Sequence, residues 1–212
     1  MVRLVKKPEE RRSEIVAAAR EMLADTDYEK VTMGLLMKKL NIAKGTIYHY
    51  FQSKEELLEA VVEDIIDGEI EKKKALVESD EFIALSPLQK FKTFVAGSDI
   101  SDKNEQILKG LHNPANTIIH ARLLGLFIAK LAPFYADIIE EGNGKGVFSV
   151  RNPLETAELL LSGIQFITDT GFYPWSDSDL LRRRMSLPDL VEAQLGAPAG
   201  SMEFLRGNHG ED

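Results

Sequence analysis

Residues 44–54 carry Lys44, Thr46, Tyr48, His49, Tyr50 and Lys54, which is two ammonium groups, three hydroxyls and an imidazole in eleven positions. This set is suited to hydrogen bonding along an anionic polymer. Ammonium and hydroxyl donors reach phosphate oxygens, and a lysine at position 44 also reaches the acceptor edge of a guanine. Nothing beside them resembles a Ser/His/Asp constellation, and the glycine-containing run at 142–146 lacks the context of a nucleotide loop. The chemistry indicated is recognition, and no catalytic role is expected.

The elements that must present those groups are helices. Ile15, Ala18, Ala19, Met22 and Leu23 recur at helical spacing over 10–25. Thr32 is placed to cap a second helix over 33–40, with Leu36, Met37 and Leu40 on its apolar side and Asn41 suited to a left-handed exit. A short third helix over 43–51 then leaves Ile47 and Phe51, four residues apart, on the inner face and the polar groups outside. Two short helices joined by about three residues form a helix-turn-helix. Ser53 with Glu56 reads as a capping box for a long helix from about 53 to 78. Further helices are expected over 87–96, 103–111, 115–140 with a kink at Pro133, 153–170 and 178–195. Between them come a loop at 142–146, an aromatic turn at 172–175 and a frayed tail from Gly196.

Charge is distributed unevenly. The 212 residues carry a net −8, but residues 1–54 are +4 and residues 55–212 are −12. A basic head on an acidic body suits a polyanion partner at the head only. Arg3, Lys6, Lys7, Arg11 and Arg12 are read as a solvated arm with salt-dependent phosphate attraction. The sequence contains no cysteine, which excludes disulfides and thiolate metal sites and fits a reducing cytoplasm. The N-terminus lacks a signal-peptide core, and the most apolar stretch, 115–132, is interrupted by His120, Arg122 and Lys130. A cytoplasmic protein without a membrane partner is expected.

The run AKGTIYHYFQSKEEL at 43–57, with IVAAA at 15–19 and Val31-Thr32 before it, resembles the DNA-binding head of the tetracycline-repressor (TetR) family of bacterial transcriptional regulators. The resemblance covers about a quarter of the chain and is specific because many positions fit in order. It implies an all-α fold: a three-helix helix-turn-helix DNA-binding domain over 1–54, a helical effector-binding and dimerisation domain over 55–200 and a flexible tail over 201–212. By the same resemblance Tyr48, Tyr50 and Lys54 match positions that clamp the DNA backbone, and Thr32 matches a phosphate contact. Thr46 belongs to the same surface, and Lys44, Gly45 and His49 match positions near bases. Three positions depart from the family pattern: Met37 where a small residue is usual, Asn41 for Gly, and Ala43 for a capping Ser or Thr.

The implied function is a homodimeric, ligand-responsive regulator, a repressor released from a palindromic double-stranded operator by a small molecule. Pairing across the dimer falls to the last two long helices. Phe94, His112, His120, Phe127, Phe166 and Thr170 are the candidate effector contacts. No cofactor is expected. Four histidines without an HxxxH pair argue against a metal. The rival reading is a helical small-molecule carrier or adaptor that has lost sequence-specific DNA binding.

Overall fold

The computed structural model describes residues 7–96 and 101–206. Among these every regular element is helical. The first helix, α1 (Pro8–Asp25), opens with proline in its first turn, where an amide hydrogen would lack a partner anyway, followed by Glu9 and Glu10 against the positive end of the helix. A single 3-10 turn, Tyr28–Lys30, follows. Then come α2 (Met33–Leu40), α3 (Lys44–Tyr50) and α4 (Lys54–Val77). A one-turn helix, α5 (Asp80–Ile83), precedes α6 (Pro87–Ala96) and α7 (Ser101–Leu111). After a 3-10 turn at Pro114–Asn116, α8 (Thr117–Gly144), α9 (Pro153–Thr168) and α10 (Asp177–Leu195) complete the helices, with a last 3-10 turn at Glu203–Arg206.

The described residues divide into two compact units. The first joins residues 7–68 to 101–123, and the second joins 69–96 to 124–206. In the first unit, Ile15, Ala19, Leu36, Ile47, Phe51, Leu58 and Val61 are fully or almost fully buried. α7 packs on α1 within this unit, so the head is bedded on a segment distant in sequence, since α1 ends at Asp25 and α7 begins at Ser101. In the second, Phe82, Phe91, Phe94, Tyr135, Ile139, Phe148, Val191, Leu195 and Met202 form one core.

Several expectations change in detail. The run at 142–146 is not wholly a loop, because α8 continues to Gly144. The amides of Val147 and Phe148 both donate to the Gly142 carbonyl, and the Phe148 ring folds back over Gly142. A Cβ at 142 would lie 2.0 Å from that ring, so the helix can close this way only with glycine there. α8 also runs through Pro133, which forfeits one backbone hydrogen bond. Residues 201–206, assigned to a flexible tail, instead pack down: Met202 is fully buried and its amide donates to Glu192 Oε1 at 2.9 Å. Residues 207–212, and Arg3 and Lys6 of the N-terminal arm, lie outside the described residues.

Candidate nucleic-acid interface

The helix-turn-helix is built by local capping. Thr32 Oγ1 accepts from the Leu35 amide at 3.2 Å and starts α2. Asn41, at φ 51°, turns the chain out of α2 in the left-handed conformation, with its amide bonded back to Lys38 and Met37 carbonyls. Asparagine therefore does the work usually given to glycine in the resembling family. Met37 is half-buried. Ala43 is the N-cap of α3 and provides no side-chain acceptor.

α3 is held by its inner face. Ile47 is 0% and Phe51 1% exposed, whereas Lys44, Gly45 and His49 are exposed and Thr46, Tyr48 and Tyr50 half-buried. The tyrosines therefore sit at the margin of the head, partly sheltered and partly open to solvent, an arrangement suited to amphipathic contacts. Lys44 Nζ lies 5.6 Å from the Tyr48 ring centroid, and the His49 ring meets Tyr50 edge-on at 5.0 Å. At Gly45 an added Cβ would meet nothing within 4 Å. The surface there is open, and glycine keeps the backbone bare for close approach of another chain.

The start of α4 closes the site. Ser53 Oγ accepts from the Glu56 amide at 3.1 Å, as a capping box requires. The reciprocal arm differs: Glu56 Oε2 accepts from the Gln52 amide at 2.6 Å, one residue further back. Lys54 is half-buried with its ammonium 3.7 Å from the centroid of the Tyr28 ring. Burial there pulls the Lys54 pKa down, while Glu29 and Glu55 oppose the shift.

Tyr28 was not singled out from the sequence. It is buried, its hydroxyl lies 3.5 Å from Glu55 Oε1, and burial raises its pKa. Gly110 of α7 lies so close that a Cβ there would come within 2.8 Å of Tyr28 Cβ. Asn116 Nδ2 donates to the Gly110 carbonyl at 2.8 Å, and Asn113 Nδ2 to Glu29 Oε1 at 2.8 Å. The seat beneath Lys54 is thus shaped partly by residues 110–116. A lone aromatic at the start of a 3-10 turn carries no periodic signal that could have marked it. Of the N-terminal basic residues within the described range, Arg11 pairs with Glu14 at 2.5 Å and Arg12 lies over the Phe51 ring at 5.2 Å.

The candidate effector residues are spread over both units. Phe94 is fully buried and packs on Tyr135 at 4.9 Å and Phe134 at 5.8 Å, as a core residue. Phe127 is half-buried against that core. Phe166 is 55% exposed and meets Phe172 at 5.6 Å; Thr170 is exposed. His112 and His120 belong to the first unit, where their rings stack at 4.9 Å.

Residues 15–61 match the family described as "Bacterial regulatory proteins, tetR family", and residues 99–187 match "Tetracyclin repressor-like, C-terminal domain". The chain is 31% identical over 83 residues to the HTH-type transcriptional repressor KstR2 of Mycolicibacterium smegmatis, covering 39% of this chain and 38% of that protein. It is 37% identical over 51 residues to the HTH-type transcriptional regulator UidR of Escherichia coli K12, covering 24% of this chain and 26% of that one. The match thus spans well under half the length of either relative. Among solved structures, RolR in complex with resorcinol superposes with a TM-score of 0.65 at 18% identity, over 94% of each chain. A TetR-family transcriptional regulator from Pectobacterium atrosepticum gives 0.64 at 20%, over 91% of this chain and all of that one. At these identities the structural likeness is one of fold. No helix among the described residues is long and apolar enough to cross a membrane. With both halves of the sequence matching it and the helix-turn-helix in place, this chain belongs to the TetR family of bacterial transcriptional regulators.

Proposed function

We propose that the protein is a homodimeric, effector-responsive repressor that acts in the cytoplasm on a palindromic operator. The observation that carries this reading is α3: a seven-residue helix anchored by Ile47 and Phe51, with Lys44, Gly45, Thr46, Tyr48, His49 and Tyr50 on its accessible side and Lys54 beside it. Such a helix suits a major groove about 12 Å wide. Lys44, Gly45 and His49 approach base edges. Thr32, Thr46, Tyr48, Tyr50 and Lys54 hold phosphates, Thr32 through the hydroxyl proton that its capping role leaves free. Residues 1–54 carry the reading head, and 55–200 provide effector binding and dimerisation.

The dimer reading rests on exposed apolar side chains. Of the ten large hydrophobics exposed among the described residues, six lie on the last two long helices: Leu154, Leu159 and Phe166 on α9, and Leu181, Met185 and Leu190 on α10. Phe166 fits this face better than it fits an effector pocket. A two-fold pair then reads half-sites about 34–36 Å, or a multiple, apart. RolR was crystallised with the small phenol resorcinol, and the aromatic second unit suits an apolar or aromatic effector here as well. A coupling of about 1–3 kcal/mol would change operator affinity roughly 5–150-fold.

The test is fluorescence anisotropy with DNA from immediately upstream of the protein's own gene, beside a scrambled fragment of equal length. A specific site should bind at least ~10³-fold more tightly than the scrambled one. Lys54→Gln should weaken binding to every sequence and lower the salt slope by about one. Equal binding to both fragments and to any operator selected from a random library would leave the carrier or adaptor reading instead.

A further inference from the structure

Neither histidine in the α7–α8 connection takes part in the proposed DNA contact. His112 follows the last turn of α7 and His120 lies in the first turn of α8, with the 3-10 turn at Pro114–Asn116 between them. His120 is 5% exposed and His112 half-buried. Their ring centroids are 4.9 Å apart with planes inclined by 28°, and their ligating nitrogens lie within 4.8 Å of each other.

That spacing matches the requirement of a shared metal ion. With metal–nitrogen bonds of about 2.0–2.1 Å, two imidazoles on one ion have centroids ~4.5 Å apart at a right-angled pair of positions and ~5.2 Å apart at a tetrahedral pair. The observed 4.9 Å falls between these limits. Either geometry needs the nitrogens ~3 Å apart, a separation that binding would reach through rotation about the side-chain torsions. The HxxxH rule overlooks this pair because that spacing describes two ligands on one helix. Here the end of one helix and the start of the next converge across a turn.

We propose that His112 and His120 form the two-imidazole core of a binding site for a divalent transition metal. Neutral imidazole selects zinc, nickel, copper or cobalt over magnesium and calcium, which prefer oxygen donors. The turn between the two ligands is already organised. Asn113 Oδ1 accepts from the Ala115 amide at 3.0 Å, and Asn116, fully buried, holds the Gly110 carbonyl. Little ordering is left for the ion to impose. The site does not depend on the DNA reading, since metal uptake is measured on the free protein.

The experiment uses untagged full-length chain stripped by chelator. Zn²⁺ is titrated calorimetrically and Co²⁺ by its visible ligand-field absorption. The expected result is one ion per chain, with Co²⁺ displaced by Zn²⁺ and not by a ~100-fold excess of Mg²⁺. His112→Gln and His120→Gln should each weaken binding by at least ~10-fold with the helical circular dichroism retained. A second measurement needs no variant: diethylpyrocarbonate labelling of the wild-type chain, mapped by mass spectrometry, should show the half-buried His112 protected by Zn²⁺. Absence of saturable uptake, or labelling of His112 that is identical with and without Zn²⁺, overturns the proposal.

Discussion

Lys54 and Lys73 each sit on an aromatic ring, and their surroundings set different consequences. Lys54 rests on Tyr28 at the margin of the head and remains half-exposed, so a cation–π seat holds it without removing it from water. Lys73, on α4, is 3% exposed, lies over the Phe94 ring at 4.3 Å and donates to the Phe94 carbonyl in the last turn of α6. Burial brings its pKa from the ordinary 10.5 down to about 8, against an opposing pull from Glu69. The sign follows from proton counting. Below pH 8 both folded and unfolded chains hold the proton, and the cost of burying the charge is fully present. Between 8 and 10.5 the unfolded chain holds a proton that the folded chain has released, so stability rises with pH, by at most about 3 kcal/mol. Above 10.5 the gain levels off. Urea unfolding of wild type and Lys73→Met at pH 7.5 and pH 10 isolates the effect: wild type should gain on the variant between the two values. A difference that stays constant would show that Lys73 keeps an ordinary pKa.

At the scale of elements, capping residues place the reading helix, and one cap is missing. α2 starts on Thr32 and α4 on Ser53, both with side-chain acceptors, but α3 starts on Ala43 with none. Ala43 has extended backbone angles, φ −73° and ψ 154°, which a capping serine also adopts. Ala43→Ser should therefore stabilise the protein by about 0.5–1 kcal/mol in chemical denaturation, with α3 itself unchanged. An unchanged or lowered midpoint would mean that water already satisfies the first amides of α3 as well as serine would. The long helices were legible because apolar periodicity accumulates over many turns; α6 was predicted from Pro87 to Ala96 and runs there. The turns at Tyr28–Lys30 and Asp80–Ile83 were not legible, since three or four residues are too few to show a period.

At the scale of the whole molecule, the exposed apolar residues of α9 and α10 are the feature that a single chain leaves unexplained. Leu159 is 62% and Met185 40% exposed, on neighbouring helices that pack together. Monomeric proteins rarely leave such a collection uncovered. Leu159→Glu combined with Met185→Glu should convert a dimer to a monomer in sedimentation equilibrium while the helical signal persists. Operator affinity should then fall by about 10²-fold or more, because the second half-site is no longer bound by a tethered partner. A wild-type chain that sediments as a monomer at micromolar concentration would remove the dimer reading altogether.

The helical class, the capped helix-turn-helix, the basic head and the polar face of α3 could be read directly from the chain. Each depends on local patterns, namely spacing along a helix, caps a few residues apart and charge summed over a segment. Met202 in the core, Tyr28 beneath Lys54, α7 against α1 and the His112–His120 pair could not be read this way. These join residues from separate elements, and sequence spacing carries no information on which helices converge. Tertiary packing decided them, through close approaches such as Gly110 to Tyr28 that only the folded backbone brings about.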